Sequence, residues 1–146
     1  MSIAKQLAIL IICALLLPYT ASKLNKMRQI TGSAPGARIY PAIVIGKSQS
    51  RSRQSGYYDI RWEADIPERG GRVSGEDRAE YPDWAPLQPG SPIQVALVGK
   101  ETYYTKSIYA GPGNFAFDYG LLTIEIGGIL FALGGLAWRI KKGSGE

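Results

Sequence analysis

Few side chains in this sequence have types and spacings that suit chemistry. It has no histidine, and its one cysteine, Cys13, lies inside an apolar run. That removes histidine-based nucleophile–base pairs, Cys/His metal sites and any intramolecular disulfide. Carboxylates remain. In YYDIRWEAD, Tyr57 to Asp65, the acids Asp59, Glu63 and Asp65 share one face with Arg61. Alternate strand residues lie about 7 Å apart, a separation found between the paired acids of glycosidases. The same alternation makes them the solvated face of a strand, and no nucleophile–base pair accompanies them. No catalytic residue, cofactor or metal is expected, and the chain is read as a non-enzyme.

Glu125 is a different kind of acid. It sits in GLLTIEIGGILFALGGLAWRIKK, Gly120 to Lys142, a run apolar enough to cross a membrane. An ionisable side chain at the centre of a span costs about 2.5–3.5 kcal/mol on insertion scales. Two readings stay open. Glu125 lies near one boundary, where its carboxyl reaches the headgroups or carries a proton. Alternatively, it pairs with another helix. In this chain the first apolar segment offers Thr20 or Ser22 at matching depth, and Lys5 on the wrong side. A second subunit is the other source of a mate. Gly128, Ala132 and Gly135 recur on one helix face close to Glu125 and make a small-residue surface for helix packing. Whether the first segment or a foreign subunit packs there is open.

These residues depend on two apolar segments at the chain ends. The first, MSIAKQLAILIICALLLPYTASK, spans about 19 residues from Ile3 to Ala21, near the bilayer requirement. A retained anchor and a cleaved signal peptide both fit it. Pro18 and Tyr19 suit its far interface. The second runs from Gly120 to Trp138, about 28 Å of helix. Tyr119 and Trp138 stand at its two ends as aromatic interface anchors, and Arg139, Lys141 and Lys142 follow as a basic stop. This predicts two spans in a bacterial inner membrane, with both termini cytoplasmic and the middle outside.

The net charge of +5 comes from these flanks. Between Ile30 and Asp118, 10 Lys/Arg balance 10 Asp/Glu. A neutral middle argues against nucleic acid, which needs a basic surface to displace counterions. The lipid bilayer is the expected partner of the ends.

The middle, residues 30–118, switches to a period of two. Strands are expected at Arg38–Gly46, Tyr57–Asp65, Gly71–Glu76, Ser91–Gly99 and Thr102–Tyr109. In the second, Tyr58, Ile60, Trp62 and Ala64 face the core. Pro41 points to an edge strand or a bulge. Ser48–Ser55 reads as a polar hairpin tip, Gly99-Lys100-Glu101 as a tight turn, and Ala110–Asn114 as a break. Tyr81 and Trp84 should tuck against the sheet. The fold expected is mainly β: a small antiparallel sheet or barrel of about five strands between two transmembrane helices, residues 1–29 and 119–146.

The stretches ARIYPAIVIGKSQS, YYDIRWEAD with RGGRVSG, and LQPGSPIQVALVG resemble the bacterial membrane proteins of domain-of-unknown-function family 3592. There too, two spans flank a small β domain, and Gly90-Ser91-Pro92-Ile93-Gln94-Val95 is similar to the late glycine-led strand. The resemblance covers about Ala37 to Lys142 and implies an architecture with no catalytic residues. The function expected is that of a non-catalytic accessory or scaffold subunit that packs its second span against a larger integral membrane protein complex. The alternative is an extracytoplasmic ligand-sensing or binding module.

Overall fold

The computed structural model describes residues 2–51 and 56–143. Its elements in chain order are α1 (Ile3–Thr31), β1 (Arg38–Arg51), β2 (Gly56–Ile66), β3 (Gly71–Ala79), α2 (Tyr81–Trp84), β4 (Pro92–Val98), β5 (Glu101–Tyr104) and α3 (Pro112–Gly143). Single 3-10 turns occupy Pro67–Arg69 and Ile108–Ala110. Among the described residues helix makes up 52% and strand 33%, so the expectation of a mainly β chain is not met. The reason is helix length. α1 continues past its apolar run to Thr31, and α3 begins at Pro112, not at Gly120. Proline suits a first helical position, where its missing N–H has no partner to lose. Pro18 lies inside α1 and does not end it. The chain divides into two compact units, residues 1–24 with 115–146, and residues 25–114.

The second unit is a five-stranded sheet of order β3-β2-β1-β4-β5, with every ladder antiparallel. The long β1 serves both halves. Its first residues pair with β4, and from Ala42 onward it pairs with β2. Pro41 therefore belongs to the central strand, which corrects the edge reading. It pairs with Gln94 of β4 just before the β2 ladder starts, so no β2 bond is lost to its missing N–H. The bulge lies further on, between Val44 and Gly46.

β1 also runs to Arg51, beyond the predicted Gly46, because Lys47 to Arg51 pair with Ile60 to Gly56. The predicted tip thus begins as strand. Its residues 52–55 lie outside the described ones. The other bounds moved by a few residues. β5 ends at Tyr104, and the chain then turns through Ile108–Ala110.

The two outer strands come together. Ala79, ending β3, bridges Ser107, just beyond β5. Arg69 donates to the Lys100 carbonyl in the β4–β5 turn. The sheet is thus a nearly closed, five-stranded antiparallel barrel, with the short α2 between β3 and β4. Its core is Val44, Ile60, Trp62, Ala64, Ile66, Val95, Leu97 and their neighbours, with Trp62 fully buried. The inward alternation of β2 is the one predicted at Ile60, Trp62 and Ala64, while Tyr58 is half-buried and lies outside that core. Trp84 is partly buried against this core, but Tyr81 is 56% exposed, which corrects its predicted burial. Tyr81 rests on Tyr58, with ring centroids 5.2 Å apart, at the surface of the cluster.

The end of α1 belongs to the barrel unit. Met27 and Ile30 are fully buried. Lys26 Nζ lies 4.8 Å over the Tyr103 ring and 3.3 Å from Glu101, which puts this helix end beside β5. Ala96 alternates out of the core yet is fully buried. The helix end therefore covers the outer face of the sheet around Ala96 and Tyr103.

Candidate functional site

The first unit is a pair of antiparallel helices, α1 to Leu24 and α3 from Phe115. Four contacts set the register. Lys23 Nζ lies 3.0 Å from both Asp118 oxygens. The Thr20 hydroxyl donates to Glu125 Oε1 at 2.8 Å. Cys13 faces Gly128, and Gln6 faces Gly135. In α1 the positions 6, 13 and 20 recur every seven residues, as do 118, 125 and 132 in α3. A seven-residue repeat keeps one seam of two helices in continuous contact.

The seam needs both its polar pairs and its small residues. Glu125 is only 2% exposed, and Thr20, Asp118, Gln6 and Ala132 are also buried. Burying a carboxylate without partners is costly, and the Thr20 hydroxyl recovers part of that cost. Glu125 Oε2 and Gln6 Oε1 are buried without a hydrogen bond. At Gly128 a Cβ would lie 2.7 Å from Cys13 Sγ, and at Gly135 a Cβ would lie 2.0 Å from Gln6 Nε2. Those two glycines let the backbones approach, as small residues do between membrane helices.

The predicted packing residues Glu125, Gly128, Ala132 and Gly135 thus lie together on α3, and α1 of the same chain lies on them. Glu125 does not reach outward. Its bonded mate is Thr20, one of the two residues available at matching depth. Lys23 with Asp118, and Gln6, were missed. Asp118 reads from sequence as the end of the β domain, because α3 starts earlier than its apolar run. The seven-residue spacing from Asp118 to Glu125 was the available signal. The five anchor residues Tyr119, Trp138, Arg139, Lys141 and Lys142 are all exposed on α3, with Tyr119 stacked on Phe115 at 6.2 Å.

α3 has a second face. Gly120, Gly127 and Gly134 are exposed, and a Cβ at each would meet open space. They alternate with Ile124, Phe131 and Trp138, all exposed.

In the barrel unit, two of the acids that invited comparison with glycosidases, Asp59 and Glu63, are tied up in cross-strand pairs, and Asp65 is exposed. Asp59 binds Arg78 at 3.1 Å, and Glu63 binds Arg72. Asp77 is the acid that the sequence does not single out. Its Oδ2 accepts from the Trp62 indole at 2.9 Å and from the Tyr104 amide at 2.8 Å. It thereby links β2 and β3 to β5 at the point of barrel closure. Burial pushes its pKa up, against the opposing pull of those two hydrogen bonds. Among the described residues no group of His, Cys, Asp or Glu is arranged to hold a metal ion. No protein-family profile, curated protein or solved structure matches this chain.

Proposed function

We propose that this protein is a non-catalytic accessory or scaffold subunit of a bacterial membrane protein complex, held by two spans and carrying its barrel outside the cytoplasmic membrane. The observation that supports this reading is the division of α3 into two small-residue faces. One face is engaged by α1. The other, Gly120, Gly127 and Gly134 between Ile124, Phe131 and Trp138, is open. A foreign helix would use that open face, because α1 occupies the Glu125–Gly135 face. The two helices are long and apolar enough to cross a membrane. The basic end of α3 favours a cytoplasmic C-terminus. The resemblance to family 3592 belongs to the same proposal and concerns architecture alone.

A photo-reactive residue at Phe131, activated in native membranes, tests the reading. It should give one discrete heterologous adduct, which Gly127→Leu abolishes. Native mass spectrometry of gently solubilised protein that finds no other polypeptide bound would reject it.

A further inference from the structure

The outer face of the central barrel strand is apolar where a solvated strand is usually polar. Ile43 and Ile45 of β1 are 53% and 43% exposed. With Pro41 and Pro92 they line an open groove of about 800 Å³. Exposed apolar patches with a polar rim mark contact surfaces. The occupant can be argued from the charges around this one.

The strand register arranges those charges in rows. Ile43 lies opposite Glu63, and Glu63 lies opposite Ser74, which makes a central row across β1, β2 and β3. On one side of it Asp65 lies opposite Arg72. On the other side Arg61 lies opposite Glu76. Arg61, Asp65, Arg72 and Glu76 are all exposed. The two flanking rows therefore carry opposite signs at matching positions. A two-fold axis along the central row, between two copies laid face to face, exchanges the flanking rows. Asp65 then meets Arg61 of the second copy. Ile43 meets its own symmetry mate, and Pro41 meets the bulge of Ile45 and Gly46 beside Arg61. Glu63, near the axis, is already neutralised by Arg72.

We propose that this face binds a second copy of the chain, the two barrels packing outer face to outer face with their β1 strands antiparallel. The interface is isologous, so each favourable pair occurs twice. It is also salt-sensitive, because its charges sit at an exposed rim. This proposal does not depend on the accessory-subunit reading, which concerns α3.

The test uses the full chain in detergent, with oligomeric state read by native mass spectrometry and sedimentation. Wild type should be dimeric, and Ile43→Lys monomeric. Asp65→Arg should weaken the dimer about tenfold, since it places like charges together twice. Adding Arg61→Asp to Asp65→Arg should restore the affinity to within about threefold of wild type, because the pair is re-formed with its signs exchanged. On a Cys13→Ser background, Ile43→Cys should form a disulfide-linked dimer, and Lys100→Cys should not. A monomeric wild type, a dimer unaffected by Ile43→Lys and Asp65→Arg, or a double exchange no better than the single one would each overturn the proposal.

Discussion

At the scale of single residues, two acids, the half-buried Asp77 and the buried Glu125, hold this chain together by accepting hydrogen bonds. Asp77 does so inside the barrel. Its native pKa lies above the ordinary aspartate value. Between the unfolded and native values the folded chain binds more protons than the unfolded one, so stability falls as pH rises through that window and levels off above it. Asp77→Asn keeps an oxygen for the Trp62 and Tyr104 donors and should flatten this slope. Asp77→Ala strands both donors and should cost about 2–5 kcal/mol. Urea unfolding at several pH values checks both, and an unchanged slope in Asp77→Asn would refute the assignment. Glu125 does the same between the helices. Thr20→Val should destabilise the helix pair by about 0.5–2 kcal/mol. Combined with Glu125→Leu, which removes the acceptor as well, the loss should be smaller than for Thr20→Val alone. Unfolding in mixed detergent distinguishes the two outcomes.

Elements are held by glycines where a side chain would collide. Gly75 of β3 lies opposite Trp62, and a Cβ there would come within 2.3 Å of the indole. Gly75→Ala should therefore cost about 1–3 kcal/mol by overpacking, read as a lower urea midpoint. Gly128→Ala should loosen α1 from α3, since its Cβ meets Cys13 Sγ at 2.7 Å. Cys13→Ala on top of it should recover most of the loss. Fluorescence transfer between dyes on the two helix ends would show this, and strictly additive effects would count against the seam. Much of this level was legible in the sequence. The period-two alternation of Tyr58, Ile60, Trp62 and Ala64 marked β2 and its buried face. The polar Lys47–Arg51 gave no such pattern, because their strand state comes from pairing with β2 and not from burial.

For the whole molecule, the topology carries the prediction. With Cys13→Ser as background, Lys100→Cys should react with a membrane-impermeant maleimide added to intact cells or spheroplasts. A cysteine replacing Lys142 should react only after lysis. The reverse pattern would invert the proposed orientation.

The sequence alone determined the two apolar segments and their basic flanks, the neutral middle, the strand pattern of the barrel and the lack of histidine chemistry. All of these depend on composition and local period. It also placed Glu125 on one helix face with Gly128, Ala132 and Gly135. Only the tertiary structure decided what stands opposite that face. The mate of Glu125 is Thr20, 105 positions away in the chain. One of the two donors to Asp77 is the amide of Tyr104, across the closure of the barrel. A residue's own neighbours constrain its conformation and its face, but contacts between distant segments follow from how those faces pack, and no local period records that.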